Sequence, residues 1–243
     1  QLPFDYLPEA KAPLFKAYLN KVLPDIERQK VLAEYLGFLF MKHGSDRLKE
    51  EKALILYGTG ANGKSVFFEV VSALLGSENM SNFSMQSLTN ENGYFRAKIG
   101  NKLVNYATEM SGKLESAVFK QLVSGEPVEA RLPYGEPFTL TQYAKLIFNC
   151  NELPKDVEHT NGYFRRFLII PFDVTIPPHE QDKQLHTKII EQELSGVFNW
   201  VIEGLNRLLD QKGFTDCQAA QKAVDQYRTE ADSVRMFMEE LEY

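Results

Sequence analysis

A glycine-rich segment in the first third of the chain has the residue types and spacing of a phosphate-binding loop. Residues 58–65 follow the pattern G-x-x-x-x-G-K-[ST]. The glycines let the backbone wrap, so that successive N–H groups face the phosphates of a nucleotide. Lys64 is expected to reach the β- and γ-phosphates of ATP, and the Ser65 hydroxyl to coordinate Mg²⁺. The predicted nucleotide contacts are Gly58, Thr59, Gly60, Ala61, Asn62, Gly63, Lys64 and Ser65.

Two polar residues that follow apolar runs are further candidates for catalysis. Glu109 follows the predicted strand Lys102–Ala107. A carboxylate there can hold the Mg²⁺ shell or polarise an attacking water, although a solvated loop glutamate is the alternative interpretation. Asn151 follows the predicted strand Lys145–Asn149, and its neutral amide can position the same water against the γ-phosphate. Asparagine before proline is also a common turn-former, so turn formation is the competing explanation for Asn151.

Two arginines, Arg165 and Arg166, directly precede the predicted strand Phe167–Phe172. An arginine offered to the γ-phosphate across a subunit boundary accelerates phosphoryl transfer by roughly 10³ to 10⁵. A surface salt-bridge pair is the commoner role of such a dipeptide. The catalytic interpretation predicts an active site shared between copies of the chain.

The elements that must position these residues alternate between strand and helix. Besides the three strands above, Ala53–Tyr57 is a predicted strand, and helices are predicted over 64–75 and 115–123. A β-hairpin is predicted over 127–140, with its tip at 133–136. This alternation predicts an α/β core with a central sheet over residues 51–175.

Helices are predicted on both sides of this core. Residues 1–50 form a predicted N-terminal helical domain, with one helix ending at Pro24 and the next capped by Asp25. Residues 176–243 form a predicted helical tail, with helices near 180–193, 196–211, 216–227 and 231–242.

Composition limits the class of protein. The 243 residues carry a net charge of −6, which lowers the expectation of a broad basic surface for nucleic acid. Cys150 and Cys217 lack metal-ligand spacing, which argues against a disulfide framework or zinc site and predicts a reducing cytoplasm. No apolar run has the length of a membrane span and no signal peptide is recognisable.

The order of these pieces resembles the superfamily 3 DNA helicases of the phage and plasmid primase–helicase type. The segments that carry the resemblance are the loop 58–65, Ala107-Thr-Glu, 119–126, 129–131, Phe148-Asn-Cys-Asn-Glu-Leu-Pro, Phe164-Arg-Arg-Phe and 198–204. The resemblance implies an AAA+-like core that assembles into a hexamer and moves 3′ to 5′ on single-stranded DNA at a replication fork. It also implies a primase domain upstream, in agreement with the expectation that a chain starting at Gln1 is a fragment, and a bacterial or phage-infected host cytoplasm.

The resemblance also implies roles for matched residues. Lys64 and Ser65 become the nucleotide and metal contacts, Glu109 the Walker B acid that shares the metal, Asn151 the sensor and Arg166 the arginine finger. Arg165 receives no role. One departure is the lone Glu109, since many relatives have two acids at that position.

The resemblance also implies that the predicted hairpin protrudes into the channel of the ring and contacts DNA there. In a second departure from the family, Gly135 follows Tyr134 where relatives carry a lysine. The DNA contacts then fall to Arg131, Tyr134 and Lys145, with Arg131 on a phosphate and Tyr134 stacked on a base. Simple packing is the alternative for Tyr134.

Two other classes of function fit part of the pattern. An ATP-dependent initiator or scaffold would assemble on DNA without unwinding it, and the acidic composition and missing hairpin lysine favour it. A small-molecule kinase would use the same phosphate-binding loop, but the arginine pair, the hairpin and the helical flanks argue against it.

Overall fold

The computed structural model describes residues 2–108, 110, 114–155 and 157–232. Its helices are α1 (Pro13–Val22), α2 (Ile26–Phe38), α3 (Lys64–Leu75), α4 (Met85–Thr89), α5 (Tyr94–Ala97), α6 (Ser116–Ser124), α7 (Asn161–Phe164), α8 (Leu185–Gln211) and α9 (Gln218–Ala231). Its strands are β1 (Ala53–Tyr57), β2 (Met80–Ser81), β3 (Val104–Ala107), β4 (Val128–Arg131), β5 (Pro137–Leu140), β6 (Lys145–Cys150) and β7 (Phe167–Pro171).

Within the described residues, five strands form a parallel sheet in the order β2-β3-β6-β1-β7. The strands β1, β3 and β6 are almost wholly buried, as expected for a parallel sheet with helices on its faces. The strands β4 and β5 form a separate antiparallel hairpin. The α/β class with a central sheet is therefore confirmed.

The helices at the two ends of the chain belong to the same hydrophobic cluster as the sheet. Buried members come from α1 (Phe15), α2 (Leu36), β1 (Leu54), α3 (Val70) and α8 (Val201). The helices at both ends of the chain therefore pack in one cluster with the sheet, and the domain boundaries predicted near residues 50 and 175 stay predictions.

The first turn of α1 is held by a side chain of α8. Both carboxylate oxygens of the buried Glu193 accept hydrogen bonds of 2.9 Å, from Leu14 N and Phe15 N. These amides have no partner within their own helix, and a negative group at a helix N-terminus is favoured. Asp25 caps α2 as predicted, since its side chain accepts a 2.9 Å bond from Glu27 N.

The C-terminal helices differ from the prediction in two places. The prediction of separate helices at 180–193 and 196–211 is wrong, because α8 is one helix of 27 residues. Gly196 does not end a helix but lets α8 approach the N-terminal segment, since a Cβ there would lie closer than 3.0 Å to Lys11 backbone atoms. The break expected around Thr229 is also absent, because α9 continues to Ala231. Most of the predicted helix 231–242 lies outside the described residues.

No helix in the described part of the chain is long and apolar enough to span a membrane.

Candidate functional site

The glycine-rich loop (residues 58–63) lies between β1 and α3, as the sequence predicts. Gly60, Ala61 and Gly63 have φ values of 119°, 48° and 88°, which all lie in the region that favours glycine, and glycine occupies two of the three positions. Gly58 is required for a different reason, because a Cβ there would lie 2.6 Å from the Phe172 carbonyl oxygen. The loop is therefore folded tightly over the carboxyl end of the sheet.

Contacts from three other segments hold the loop in this shape. Tyr18 of α1 donates a 2.8 Å hydrogen bond to the Gly63 carbonyl. The Asn62 side chain donates to the Phe172 carbonyl at 3.2 Å, and the Ile176 amide donates to the Ala61 carbonyl at 2.8 Å. These bonds arrange the loop before any ligand arrives, which lowers the ordering cost of binding.

Lys64 brings a buried positive charge to the loop. Its Nζ donates to the Gly58 carbonyl at 2.5 Å and to Asn62 Oδ1 at 3.1 Å. Burial lowers the pKa of Lys64 from its usual value of 10.5. Both acceptors are neutral, so they do not cancel the charge, and an anion placed at the loop would favour the protonated amine.

A cavity of about 600 Å³ opens beside the loop at the carboxyl edge of the sheet. Thr108 after β3 and Asn151 after β6 both line it, together with Lys64 and Ser65. The structure thus brings Asn151 next to the loop, while Glu109 lies outside the described residues. The volume suits a small-molecule ligand, and ligands of open α/β sheets bind at this edge.

The neighbouring Asn149 is fixed in place by the core. It is buried, and its Oδ1 accepts a 2.9 Å hydrogen bond from the Tyr106 hydroxyl. Asn151 is exposed to the cavity instead. Of the two amides, Asn151 is therefore the one placed to contact a ligand.

The opposite wall of the cavity is partly apolar. Val22 of α1, Ile176 after β7 and Leu185 of α8 contribute to it. Sequence reasoning missed these residues and Tyr18, because an apolar or aromatic residue that lines a cavity has the same sequence pattern as an ordinary core residue.

The arginine pair lies at the other edge of the sheet. In the parallel register of β1 and β7, Ala53 pairs with Phe167 and Tyr57 with Pro171. Arg165 and Arg166 therefore lie at the amino end of β1, whereas the glycine-rich loop follows its carboxyl end. A strand of this length spans about 16 Å, which exceeds the reach of an arginine side chain. The pair does not complete the cavity of its own chain.

The hairpin leaves the same amino-terminal edge of the sheet, just before β6. Tyr134 at its tip is fully exposed with a φ of 63°, so it does not pack within the described residues of its own chain. Arg131 Nε donates a 2.7 Å hydrogen bond to the Gly135 carbonyl and thereby braces the tip. An exposed tyrosine held in this uncommon backbone conformation is a candidate contact for a ligand.

A buried arginine fixes the base of the hairpin. Arg96 of α5 donates to the carbonyls of Glu129 at 2.8 Å, Leu88 at 3.0 Å and Asn90 at 2.5 Å. These bonds tie β4 to the α4–α5 segment, so the hairpin projects from a rigid base. The sequence contains no signal that distinguishes Arg96 from a surface arginine.

Lys145 does not lie where its predicted contact with DNA requires. The side chain is buried, its ammonium donates to the Met41 carbonyl, and Nζ lies 4.6 Å from the centre of the Phe38 ring. Burial lowers the pKa of Lys145 to about 8. This placement disagrees with the predicted contact of Lys145 with DNA, because Met41 and Phe38 cover the amine.

The buried amine of Lys145 predicts a pH-dependent stability. Because its folded pKa of about 8 is below the usual 10.5, protonation destabilises the fold at neutral pH, and this cost declines as pH rises through 8. We expect the free energy of unfolding of the protein, relative to Lys145→Met, to rise by about 2 kcal/mol between pH 7 and 9.5. Urea unfolding of both proteins measures the difference, and a pH-independent difference would contradict it.

Comparison with known proteins finds one family of unknown function and one relative that is named a helicase. The model of a family of unknown function, DUF5906, matches residues 56–166. The putative helicase L207/L206 of Acanthamoeba polyphaga mimivirus is 29% identical over 168 residues, covering 64% of this chain and 16% of that protein. The chain thus spans about a sixth of the curated relative it matches.

Solved structures of the NrS-1 C-terminal region share the fold. One apo form has a TM-score of 0.63 at 16% identity and covers 95% of this chain and 56% of that one. A second, of residues 305–718, has a TM-score of 0.60 at 17% identity over 90% of this chain and 54% of its own. The chain spans little more than half of these structures, and at such identities the likeness concerns the fold.

Proposed function

We propose that this chain is an ATP-hydrolysing DNA helicase motor of superfamily 3, with a P-loop AAA+-like core, that acts in phage, plasmid or mobile-element replication. The observation that carries the proposal is the separation of parts between the two edges of the sheet. The glycine-rich loop lies at one edge, and the arginine pair and hairpin lie at the other. One subunit cannot complete its own site, whereas a head-to-tail ring brings the two edges together.

The glycine-rich loop and the adjacent cavity fit ATP with Mg²⁺. Lys64 offers an uncancelled charge to the β- and γ-phosphates, and the exposed Ser65 hydroxyl at the start of α3 is available to the metal with Glu109. A bound Mg²⁺ would neutralise part of the negative charge of the phosphates. Asn151 is proposed to orient the attacking water, and the apolar wall with Val22 and Ile176 suits the base.

The hairpin is proposed to contact single-stranded DNA through stacking. Leu132, Tyr134 and Phe138 are exposed apolar side chains at or beside its tip, and Arg131 is the cation available for a phosphate. Stacking of a base on an aromatic ring contributes roughly 1–3 kcal/mol. A rigid base and an exposed aromatic tip are the features that such a contact needs.

The similarities support the replication setting. The mimiviral relative is named a putative helicase, and the NrS-1 C-terminal region shares the fold over nearly all of this chain. A hexameric ring and a primase domain in a longer protein are part of the proposal.

The test is ATP hydrolysis per subunit as a function of protein concentration, with and without single-stranded DNA. We expect the rate per subunit to rise as rings assemble and to increase further with DNA. Tyr134→Ala should lose the DNA stimulation, whereas Tyr6→Ala, which removes an exposed aromatic far along the sequence from the hairpin, should keep it. A rate independent of both concentration and DNA would remove the basis for a shared active site.

An initiator or scaffold that assembles on DNA without unwinding is the second candidate. The net charge of −6 and the hairpin tip without a lysine favour it. Strand displacement on a forked duplex separates the two, because the motor displaces the strand in an ATP-dependent manner and the scaffold only binds.

A further inference from the structure

We propose that Arg165, and not Arg166, is the side chain that reaches the γ-phosphate of the neighbouring subunit, and that Arg166 positions the turn which presents it. This inference rests on the proposed function, because it concerns the shared site of the ring. It reverses the assignment that the family resemblance implies. The two adjacent arginines differ in how deeply their side chains are buried and in which groups they bind. They therefore differ in the free energy needed to leave those groups for a phosphate.

Arg166 is built into the structure. Its side chain is 10% exposed, and its Nε and Nη2 donate to Ser124 Oγ at 3.2 and 2.8 Å. Its Nη1 donates to the Gly162 carbonyl, and Nη2 lies 3.5 Å from a carboxylate oxygen of Glu51. The guanidinium thus joins α6, the α7 turn and the segment before β1.

Arg165 is held by much less. Its side chain is 52% exposed, and the contact described for its guanidinium is one ion pair of 2.9 Å with Glu51. It is the C-cap residue directly after α7, and its backbone amide donates to the Asn161 carbonyl at 3.0 Å. The guanidinium therefore extends from a fixed backbone toward solvent.

The backbone of the pair is tied to the start of β1. Lys52 Nζ donates to the Arg165 carbonyl at 2.7 Å, and the Ala53 amide donates to the Arg166 carbonyl at 2.8 Å. The position of the pair is thus fixed relative to the sheet, and the two side chains alone decide which arginine reaches a partner.

Arg165 can leave its present contacts at a lower cost in free energy than Arg166. Arg166 would have to give up its bonds to Ser124 and Gly162 and leave polar groups without partners in a buried place, which is costly. Arg165 would exchange a partly exposed ion pair, which contributes little to stability, for a phosphate. Glu51 can keep its contact with Arg166 after Arg165 has left.

The proposed role adds no covalent step. Water attacks the γ-phosphorus, the bond to the β–γ bridging oxygen breaks, and ADP leaves with the electron pair. The protons of the water go to the phosphate product, which then releases one of them to solvent. Arg165 stays protonated throughout and neutralises charge on the phosphoryl oxygens.

The experiment compares Arg165→Ala, Arg166→Ala and Arg47→Ala, the last being an exposed arginine before β1. We expect Arg165→Ala to lower kcat about 10³-fold with an unchanged KM for ATP and unchanged melting temperature. Arg166→Ala should lower the melting temperature by about 5 °C, and Ser124→Ala, which frees Arg166 but keeps both arginines, should not reproduce the kcat loss. Arg47→Ala should behave as the wild type.

Mixed rings show whether Arg165 acts across the interface. Arg165→Ala subunits keep the glycine-rich loop and Lys64→Ala subunits keep Arg165, so roughly a quarter of the interfaces in an equal mixture are complete. Hydrolysis that reappears only on mixing supports the proposal. Full turnover by Arg165→Ala alone, or rescue of Lys64→Ala by Arg166→Ala but not by Arg165→Ala, would overturn it. Wild-type hydrolysis that is independent of concentration would instead reject the ring itself.

Discussion

Lys64→Ala is expected to abolish ATP hydrolysis and to weaken nucleotide binding roughly 10- to 100-fold. The amine is the buried cation of the glycine-rich loop, and its two hydrogen-bond acceptors, Gly58 O and Asn62 Oδ1, are neutral. A charge-assisted hydrogen bond contributes about 1.5–3 kcal/mol, which corresponds to that loss of affinity. Titration with a fluorescent ATP analogue and a phosphate-release assay measure the two effects.

Lys21→Ala is the matched control for this experiment. Lys21 lies at the rim of the same cavity, but its Nζ already forms a 2.8 Å ion pair with Glu180 and its side chain is 44% exposed. A partly exposed pair contributes little, so we expect affinity to change less than about fivefold. Equal losses in both variants would mean that the cavity responds to net charge alone, and the role of Lys64 would then be rejected.

Gly204→Val is expected to destabilise the fold by about 3 kcal/mol, or roughly 6–12 °C in melting temperature. Gly204 lies where α8 packs on α2, and a Cβ there would lie closer than 3.0 Å to the carbonyl carbon of Ala33. Replacing a helix-interior glycine by alanine stabilises a helix by up to about 1 kcal/mol where the space around it is open. At Gly204 the close approach of Ala33 makes a larger side chain destabilising instead. Thermal unfolding followed by circular dichroism measures the shift.

Glu203→Ala on the exposed face of α8 controls for helix propensity. It removes a surface side chain one position away and should change the melting temperature little. If Gly204→Val unfolded at the wild-type temperature, the close approach of α8 and α2 would not contribute to stability.

Short-range patterns in the sequence were sufficient for the elements around the loop. The pattern of residues 58–65 predicts a strand, a turn and a helix, and the structure has β1, the glycine-rich loop and α3 at those positions. The cap at Asp25 and the hairpin tip near Tyr134 were likewise predicted, since each depends on neighbours within a few residues. The catalytic roles of Lys64, Asn151 and Glu109 stay predictions.

Contacts between residues far apart in the sequence set the environments of side chains that the sequence pattern did not predict. Nothing near Lys145 in the sequence indicates that Met41 and Phe38 cover its amine, and nothing near Gly204 indicates that Ala33 packs on it. The difference between Arg165 and Arg166 depends on Ser124 and Glu51, which lie 42 and about 115 positions away.

The sequence predicted some features and not others because the interactions that set them act over different distances along the chain. Backbone conformation at glycines and caps is set by local sterics and hydrogen bonds, which a sequence pattern records directly. Burial and charge pairing depend on which surfaces meet after folding, and adjacent residues of one type can then have opposite environments. The sequence by itself therefore determined where the strand, the glycine-rich turn and the helix lie along the chain, and only the tertiary structure decided that Arg166 is buried while Arg165 is half exposed.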